Sequence, residues 1–269
     1  MTEGERGWTV GDDGRWDGRS ASELAEGWGV PLVEVYRTIG STNDRAAELA
    51  GRAGPRPSVV VAEEQTSGRG RRGDAWQSSA GAGIWMSLVL DAERAFPQLP
   101  LVVGVACARA IDRALDVAEP MVMVKWPNDL VVADRKIGGI LCEASPRAVV
   151  VGVGINVGVP EAGFHPDFAR SATALEVVGA KAIVRNELAG GIVTEILSVT
   201  GGPAPFETVR AELERRDALL GRAVATEEHG EGVARGIDAD GSLRLELPEG
   251  GMRSVVSGSV RLAAITRRG

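Results

Sequence analysis

The sequence predicts an α+β protein with a small all-β module at its carboxyl end. Between residues 31 and 219, apolar strand-like runs are interspersed with amphipathic helical segments. Beyond residue 220, five short strand-like segments follow one another, separated by turns that contain glycine. We therefore predict a leader over residues 1–30, a main domain over residues 31–219 and a small β-barrel over residues 220–269.

Length and composition place the chain among ordinary globular proteins. It has 269 residues, of which 44% are hydrophobic and 25% charged, which is enough for one sizeable core and a small second module. The net charge of −7 argues against a general nucleic-acid binder. Cys107 and Cys142 lie in apolar runs without metal-ligand spacing. With no run of membrane-spanning length and no signal-peptide pattern, we expect a cytoplasmic protein without a membrane partner.

The first elements follow a weakly patterned leader. This leader is either flexible or holds one short helix over Ser22–Trp28. The alternating run Pro31–Ile39 predicts a strand, and a helix follows from Ser41 to about Arg52. Ser41 with Asp44 resembles a capping box at the start of that helix.

The remaining elements of the main domain follow from apolar runs and helical periodicity. The predicted strands are Ser58–Ala62, Ile84–Leu90, a short one ending at Lys125, Leu130–Ala133, Lys136–Glu143 and Arg147–Val159, and the predicted helices are Pro100–Val117, Arg185–Val199 and Phe206–Leu219. Glycines interrupt the strand Arg147–Val159 at Gly152 and Gly154. Either a bulge or a ligand lying on the strand would explain them.

A basic loop, Glu63–Trp76, follows the strand Ser58–Ala62. It contains three arginines, Arg69, Arg71 and Arg72, between glycines. It is an exposed basic turn, a dinucleotide-binding loop or a flexible anion clamp. We reject the dinucleotide motif, because that motif must run from a strand directly into a helix. The later motifs favour the anion clamp, in which arginine forks bind phosphate or carboxylate oxygens.

Other polar residues lie where strands end. Ser41-Thr42-Asn43 is either a plain helix cap or a set of donors and acceptors for a compact polar ligand. Lys125, Asp129 and Lys136 sit at strand ends, where their side chains can converge on one site. The Gly138-Gly139 pair inside a strand indicates close approach to the backbone.

Taken together, these motifs resemble those of the biotin protein ligases. The motifs that carry the resemblance are Ser41-Thr42-Asn43, Gly68-Arg69-Gly70-Arg71-Arg72-Gly73, Lys125-Trp126-Pro127-Asn128-Asp129, Lys136-Ile137-Gly138-Gly139-Ile140-Leu141 and Gly152-Val153-Gly154-Ile155-Asn156. The resemblance covers roughly residues 33–264. It implies a mixed β-sheet packed with helices, related to class II aminoacyl-tRNA synthetases, and an SH3-like C-terminal barrel.

The resemblance also implies roles for particular residues. For biotin, the implied residues are Ser41, Thr42, Asn43, Gln65, Gly68, Arg69, Gly70, Arg71, Lys136, Gly139 and Gly152. For the nucleotide, they are Arg69, Arg71, Arg72, Trp76, Asn128, Asp129, Lys136 and Asn156. Lys136, Arg71 and Asp129 are the implied catalytic residues, and Asp129 either binds Mg²⁺ or accepts a proton from the acceptor lysine.

The implied reaction has two steps. Biotin and MgATP form biotinyl-5′-adenylate and pyrophosphate, and the adenylate then acylates a lysine of the carrier domain of a biotin-dependent carboxylase. Because residues 1–30 are too short for a helix-turn-helix domain, we expect no specific DNA binding. The competing hypotheses are a lipoate ligase or octanoyl transferase, a biotin-responsive regulator and a nucleic-acid-binding module.

Overall fold

The computed structural model describes residues 9–10, 14–179 and 183–263. The strands, in chain order, are β1 (Thr9–Val10), β2 (Arg15–Trp16), β3 (Arg19–Ser20), β4 (Leu32–Ile39), β5 (Ser58–Gln65), β6 (Gly83–Asp91), β7 (Met123–Lys125), β8 (Asp129–Val132), β9 (Arg135–Ala144), β10 (Ala148–Asn156), β11 (Ala223–Thr226), β12 (Gly230–Ile237), β13 (Leu243–Glu246), β14 (Met252–Val255) and β15 (Val260–Leu262). The α-helices are α1 (Ala21–Trp28), α2 (Thr42–Ala50), α3 (Leu99–Ala114), α4 (Arg185–Thr200) and α5 (Pro205–Arg216).

The main sheet is mixed, as the sequence predicts. Its strand order is β1-β4-β5-β6-β10-β9-β8-β7. Strands β4 and β5 are parallel because α2 carries the chain back between them, whereas the other neighbouring strands are antiparallel. The parallel pair brings the ends of β4 and β5 to the same edge of the sheet, where the site described below is built.

Both faces of the sheet are covered. Along β5, Val59 and Val61 enter the large core that also holds α3 and α4, whereas Val60 and Ala62 enter a smaller cluster beneath α2. Successive side chains of a strand point to opposite faces. Burial on both faces therefore explains why this strand is a continuous apolar run rather than an alternating one.

The C-terminal strands form a second sheet, which is antiparallel with the order β14-β13-β12-β11-β15. The predicted five short strands are confirmed, and the sheet is consistent with an SH3-like module. Within the described residues the two end strands, β14 and β15, are not paired with each other, so no closed barrel forms. Buried side chains such as Val224 and Leu245 join the core that also holds the main sheet.

One local prediction is wrong, and one of two alternatives is excluded. Ser41 precedes α2 but its side chain makes no capping hydrogen bond; the capping box of the described chain lies at α1, between Ser20 and Glu23. The glycines of β10 mark no bulge, because the register of β10 with β6 and with β9 is continuous. The leader prediction falls partly on residues 1–8 and 11–13, which lie outside the described residues.

Among the described residues, no helix is both long enough and apolar enough to cross a membrane.

A buried ion pair fastens α5 to the rest of the main domain. Arg216 donates to Asp112 of α3 at 2.6 Å, to the carbonyl of Val122 at 2.8 Å and to Glu212 at 2.7 Å. Both Arg216 and Asp112 are buried. Removing one partner of such a pair leaves the other charge buried without its counter-ion.

We predict that Arg216→Ala lowers the free energy of unfolding by about 3 kcal/mol or more, because Asp112 loses its cation. Urea unfolding followed by circular dichroism measures the change. The matched control is Arg210→Ala on the same helix, whose ion pairs are exposed and should change stability by less than about 1 kcal/mol. Equal losses in the two variants would contradict this account.

Candidate functional site

A cavity of about 740 Å³ opens between the main sheet, the basic loop and the last turn of the C-terminal sheet. Its volume lies in the range of small-molecule sites. Of the predicted site residues, all except Gly68 line it. Gly68 instead packs tightly beneath the loop, where a Cβ would lie 2.5 Å from the carbonyl oxygen of Trp76.

One end of the cavity is neutral and polar. Ser41, Thr42 and Asn43 at the start of α2 are buried, and all three line the cavity. The backbone N–H and the Oγ1 of Thr42 donate to Oε1 of Gln65 at 2.8 and 3.0 Å. Gln65 in turn donates from Nε2 to Ser78 Oγ at 2.7 Å. These four side chains therefore present fixed hydroxyl and amide groups that carry no charge.

Two partners of Asn43 were not found by sequence reasoning. Asn43 Nδ2 donates to Glu143 Oε2 at 2.7 Å, and Asn43 Oδ1 lies 2.6 Å from Ser87 Oγ. Ser87 is the polar residue inside the apolar run of β6, and that break in the pattern was the available signal. Which residues Ser87 contacts depends on long-range packing, and no local sequence pattern encodes that packing.

Glycines of β10 accommodate two of these side chains. A Cβ at Gly152 would overlap Asn43 Oδ1, and a Cβ at Gly154 would lie 2.7 Å from Trp76 Nε1. The protein's own side chains therefore occupy the space beside these glycines, and a ligand lying on the strand stays a prediction. Glycine is required here because a larger residue would displace Asn43 or Trp76.

The basic loop is held by ion pairs to other parts of the chain. β5 continues to Gln65, a short turn follows at Arg71–Gly73, and no α-helix intervenes before β6, so rejecting the dinucleotide motif is confirmed. Arg69 pairs with Asp44 and lies 3.5 Å from Glu143, and Arg72 pairs with Glu227 at 2.6 Å. Two of the three arginines therefore already have carboxylate partners.

Arg71 differs from its two neighbours. It lines the cavity half-buried, and its Nη1 donates to the carbonyl of Gly258 at 3.4 Å. Burial lowers the pKa of its guanidinium, and the Asp129 carboxylate opposes that shift. A half-buried cation that contacts a backbone carbonyl rather than a carboxylate is suited to an anionic ligand.

The predicted convergence of Lys125, Asp129 and Lys136 is confirmed, since all three line the cavity. Lys136 Nζ lies 2.6 Å from Asp129 Oδ1 and 5.0 Å from the centre of the Trp76 ring. Burial lowers the pKa of Lys125, and Asp129 works against that shift. With Arg71 and Arg261, these lysines make this end of the cavity cationic.

Two predicted nucleotide residues brace the backbone. Asn128 Nδ2 donates to the carbonyl of Ile140 at 2.7 Å, and Asn156 Nδ2 donates to the carbonyl of Thr173 at 3.0 Å.

Neither histidine lines the cavity. Within the described ranges, no group of three or more His, Cys, Asp or Glu side chains is arranged to hold a metal ion.

The cavity thus joins a neutral hydrogen-bonding end to a cationic end. Such an arrangement fits a ligand whose head is uncharged and polar and whose tail is anionic.

Two family matches cover most of this architecture. Residues 35–159 match the biotin/lipoate A/B protein ligase family, and residues 220–262 match the biotin protein ligase C-terminal domain.

Curated relatives and solved structures agree with these matches. The biotin–[acetyl-CoA-carboxylase] ligase of Mycobacterium tuberculosis is 33% identical over 87% of this chain and 90% of its own length. The bifunctional ligase/repressor BirA of Bacillus subtilis is 32% identical over 84% of this chain and 73% of its own. The biotin protein ligase of Aquifex aeolicus in complex with biotin and ATP superposes with a TM-score of 0.75 at 26% identity, covering 86% of this chain and 99% of that one.

We predict that Gly154→Ala displaces the Trp76 ring from Lys136 and destabilises the fold by about 1–3 kcal/mol, because the added methyl group overlaps the indole. Near-ultraviolet circular dichroism reports the ring's environment. In the control Gly40→Ala the new methyl group meets no atom within 4 Å, so the spectrum should be unchanged. A Gly154→Ala spectrum superimposable on the wild-type one would contradict this packing.

Proposed function

The chain belongs to the biotin protein ligase family, and on that premise we propose that it activates biotin with ATP and transfers it to a carrier lysine. In the first step, biotin and MgATP give biotinyl-5′-adenylate and pyrophosphate. In the second step, a lysine of the carrier domain of an acetyl-CoA or acyl-CoA carboxylase displaces AMP. Free cysteines and the use of ATP fit a cytoplasmic location, whereas specific DNA binding is not part of the proposal.

The observation that carries this proposal is the polarity of the cavity. Its neutral end presents hydroxyl and amide groups, and the ureido ring of biotin offers two N–H donors and one carbonyl acceptor. Its cationic end suits the biotin carboxylate and the phosphates of ATP, which must meet for adenylation. A relative from Leishmania major is known in complex with biotinyl-5-AMP, and it superposes with a TM-score of 0.60 at 26% identity, over 84% of this chain and 98% of that one.

We assign the biotin subsite to Ser41, Thr42, Asn43 and Gln65, with Gly152 beside Asn43 and Gly139 next to Lys136. Gly70 and Arg71 of the basic loop lie along the same cavity and would cover the bound ligand. Gly68 supports this subsite indirectly, because it allows the loop to pack against Trp76. Arg69 reaches biotin or phosphate only if its pairing with Asp44 opens.

We assign the nucleotide subsite to the cationic end. Arg71 and Lys136 would contact phosphate, and Trp76 offers an aromatic face. Asn128 and Asn156 hold the backbone of that wall through their carbonyl partners. Arg72 would contribute only after releasing Glu227.

The chemistry requires no protein nucleophile. An oxygen of the biotin carboxylate forms a bond to the α-phosphorus, and the bond from that phosphorus to the pyrophosphate oxygen breaks with its electron pair. Lys136 and Arg71 would stabilise the charge that builds up on the phosphate oxygens. The neutral amine of the carrier lysine then attacks the acyl carbon, and AMP departs with the electrons of the acyl–oxygen bond.

Asp129 is suited to one of two tasks. It is the carboxylate that lies beside Lys136, so it could accept the proton that the carrier lysine must lose. It could instead help to hold Mg²⁺, since that ion is usually bound by one or two carboxylates together with substrate phosphates. In that role the ion would neutralise phosphate charge. The described residues fit such a shared site, although they do not form a metal cage of their own.

ATP–pyrophosphate exchange tests the proposed function. With Mg²⁺, purified protein should exchange pyrophosphate into ATP only when biotin is present. Exchange with lipoate or octanoate but not with biotin would show that biotin is not the substrate, whereas the assignment of the fold would stand. Transfer is then tested by labelling a carrier domain in which the acceptor lysine is intact or replaced by arginine.

We predict that Lys136→Ala lowers biotin-dependent exchange by about 100-fold or more, because the developing phosphate charge loses its cation. The wild-type melting temperature should be retained, since Lys136 is partly exposed. Arg113→Ala, which alters an exposed ion pair of α3 outside the cavity lining, is the control and should exchange at the wild-type rate. Near-normal exchange by Lys136→Ala would refute this role.

A further inference from the structure

Ser87 lies behind the neutral end of the cavity. It sits in the middle of β6, is 0% exposed and does not line the cavity itself. Its Oγ is 2.8 Å from Thr42 Oγ1 and 2.6 Å from Asn43 Oδ1. Ser87 therefore touches two residues that do line the cavity, and any effect it has on a ligand must pass through them.

The amide groups around Ser87 have fixed orientations. The backbone N–H of Thr42 can only donate, so the Gln65 atom that meets it is the oxygen Oε1. Glu143 accepts from Asn43 Nδ2, so the Asn43 atom that faces Ser87 is the oxygen Oδ1. Both amides consequently present acceptors to the two hydroxyl groups.

The network has fewer hydroxyl hydrogens than contacts. Three oxygen–oxygen contacts occur: Thr42 Oγ1 to Gln65 Oε1, Ser87 Oγ to Thr42 Oγ1, and Ser87 Oγ to Asn43 Oδ1. Only the hydroxyl groups of Thr42 and Ser87 supply hydrogen atoms to them. Two hydrogens cannot serve three contacts, so both are used within the network. Gln65 Oε1 has a donor in either arrangement, because the backbone N–H of Thr42 also donates to it. The oxygen atoms of Thr42 and Asn43 therefore offer a ligand lone pairs but no hydrogen, which suits a ligand that donates.

We infer that Ser87 is a positioning residue that sets the specificity of the site for a ureido group. It holds Thr42 and Asn43 so that their oxygen atoms form an acceptor surface toward the cavity. The ureido ring of biotin supplies two N–H donors, whereas the dithiolane ring of lipoate supplies none. This inference rests on the proposed function, and it distinguishes biotin from lipoate, the other acid in the name of the matched family.

A purely structural Ser87 would behave differently. Loss of its hydroxyl would then lower the melting temperature, but the ratio of the Kd for biotin to the KM for ATP would not change. If Ser87 positions the acceptors, its loss frees Asn43 Oδ1 and Thr42 Oγ1, and the effect falls on biotin binding alone. The two roles are separated by comparing the Kd for biotin with the KM for ATP.

The test measures biotin binding by isothermal titration calorimetry and the KM for ATP by pyrophosphate exchange. Ser87→Ala should raise the Kd for biotin about 10- to 100-fold, because a buried acceptor loses its donor. Its KM for ATP should stay within about twofold of wild type. Ser87→Cys, which keeps a weak donor, should give an intermediate Kd for biotin. The matched control is Ser58→Ala, a buried serine of β5 whose hydroxyl bonds the carbonyl of Pro55 outside the cavity, and it should leave the Kd unchanged.

The possible results distinguish failure of the proposed function from failure of the role of Ser87. If wild-type protein binds no biotin, the proposed function fails and the role of Ser87 fails with it. If wild-type protein binds biotin and Ser87→Ala binds it within about twofold, the role of Ser87 is overturned while the proposed function stands. Should Ser87→Ala not fold, Ser87→Cys decides by the same criterion, and an unchanged Kd in that variant overturns the inference.

Discussion

The hydrogen-bonded network at the start of α2 is the interaction on which the site depends. Thr42 and Asn43 begin the helix, Gln65 ends β5 and Ser87 lies in β6, so three elements are joined by hydroxyl and amide groups. Polar groups buried in this way are stable only when they are hydrogen-bonded to one another. The parallel pairing of β4 and β5 brings these groups together, and Gly152 leaves the space that Asn43 occupies.

The basic loop couples this network to the rest of the molecule. Through Arg69 it contacts Glu143, the same carboxylate that fixes Asn43, and through Arg72 it contacts Glu227 of the C-terminal sheet. Trp126 strengthens the junction by donating to the carbonyl of Gly241 at 2.9 Å. A ligand that draws Arg69 or Arg72 toward its phosphates therefore competes with existing ion pairs. Exposed pairs of this kind contribute little stability, so such an exchange requires little free energy.

Sequence patterns predicted most of the fold because those patterns are local. Apolar β-branched runs predicted the strands, glycine-containing turns predicted the C-terminal sheet, and short motifs predicted residues that line one cavity. The mistakes arose where the outcome depends on distant contacts. Ser41 has the chemistry of a helix cap, yet its side chain makes no capping bond. The partners of Arg69 and Arg72 lie 25 and 155 positions from them in sequence, which no local pattern can indicate.

The measurement that tests the central claim most directly is a crystal structure of the protein with biotin bound. The account predicts that the ureido ring lies against Thr42, Asn43 and Gln65, with an N–H group donating to one of their oxygen atoms. It also predicts that the carboxylate points toward Lys136 and Arg71. Biotin bound with its ureido ring at the cationic end, or outside this cavity, would contradict the account.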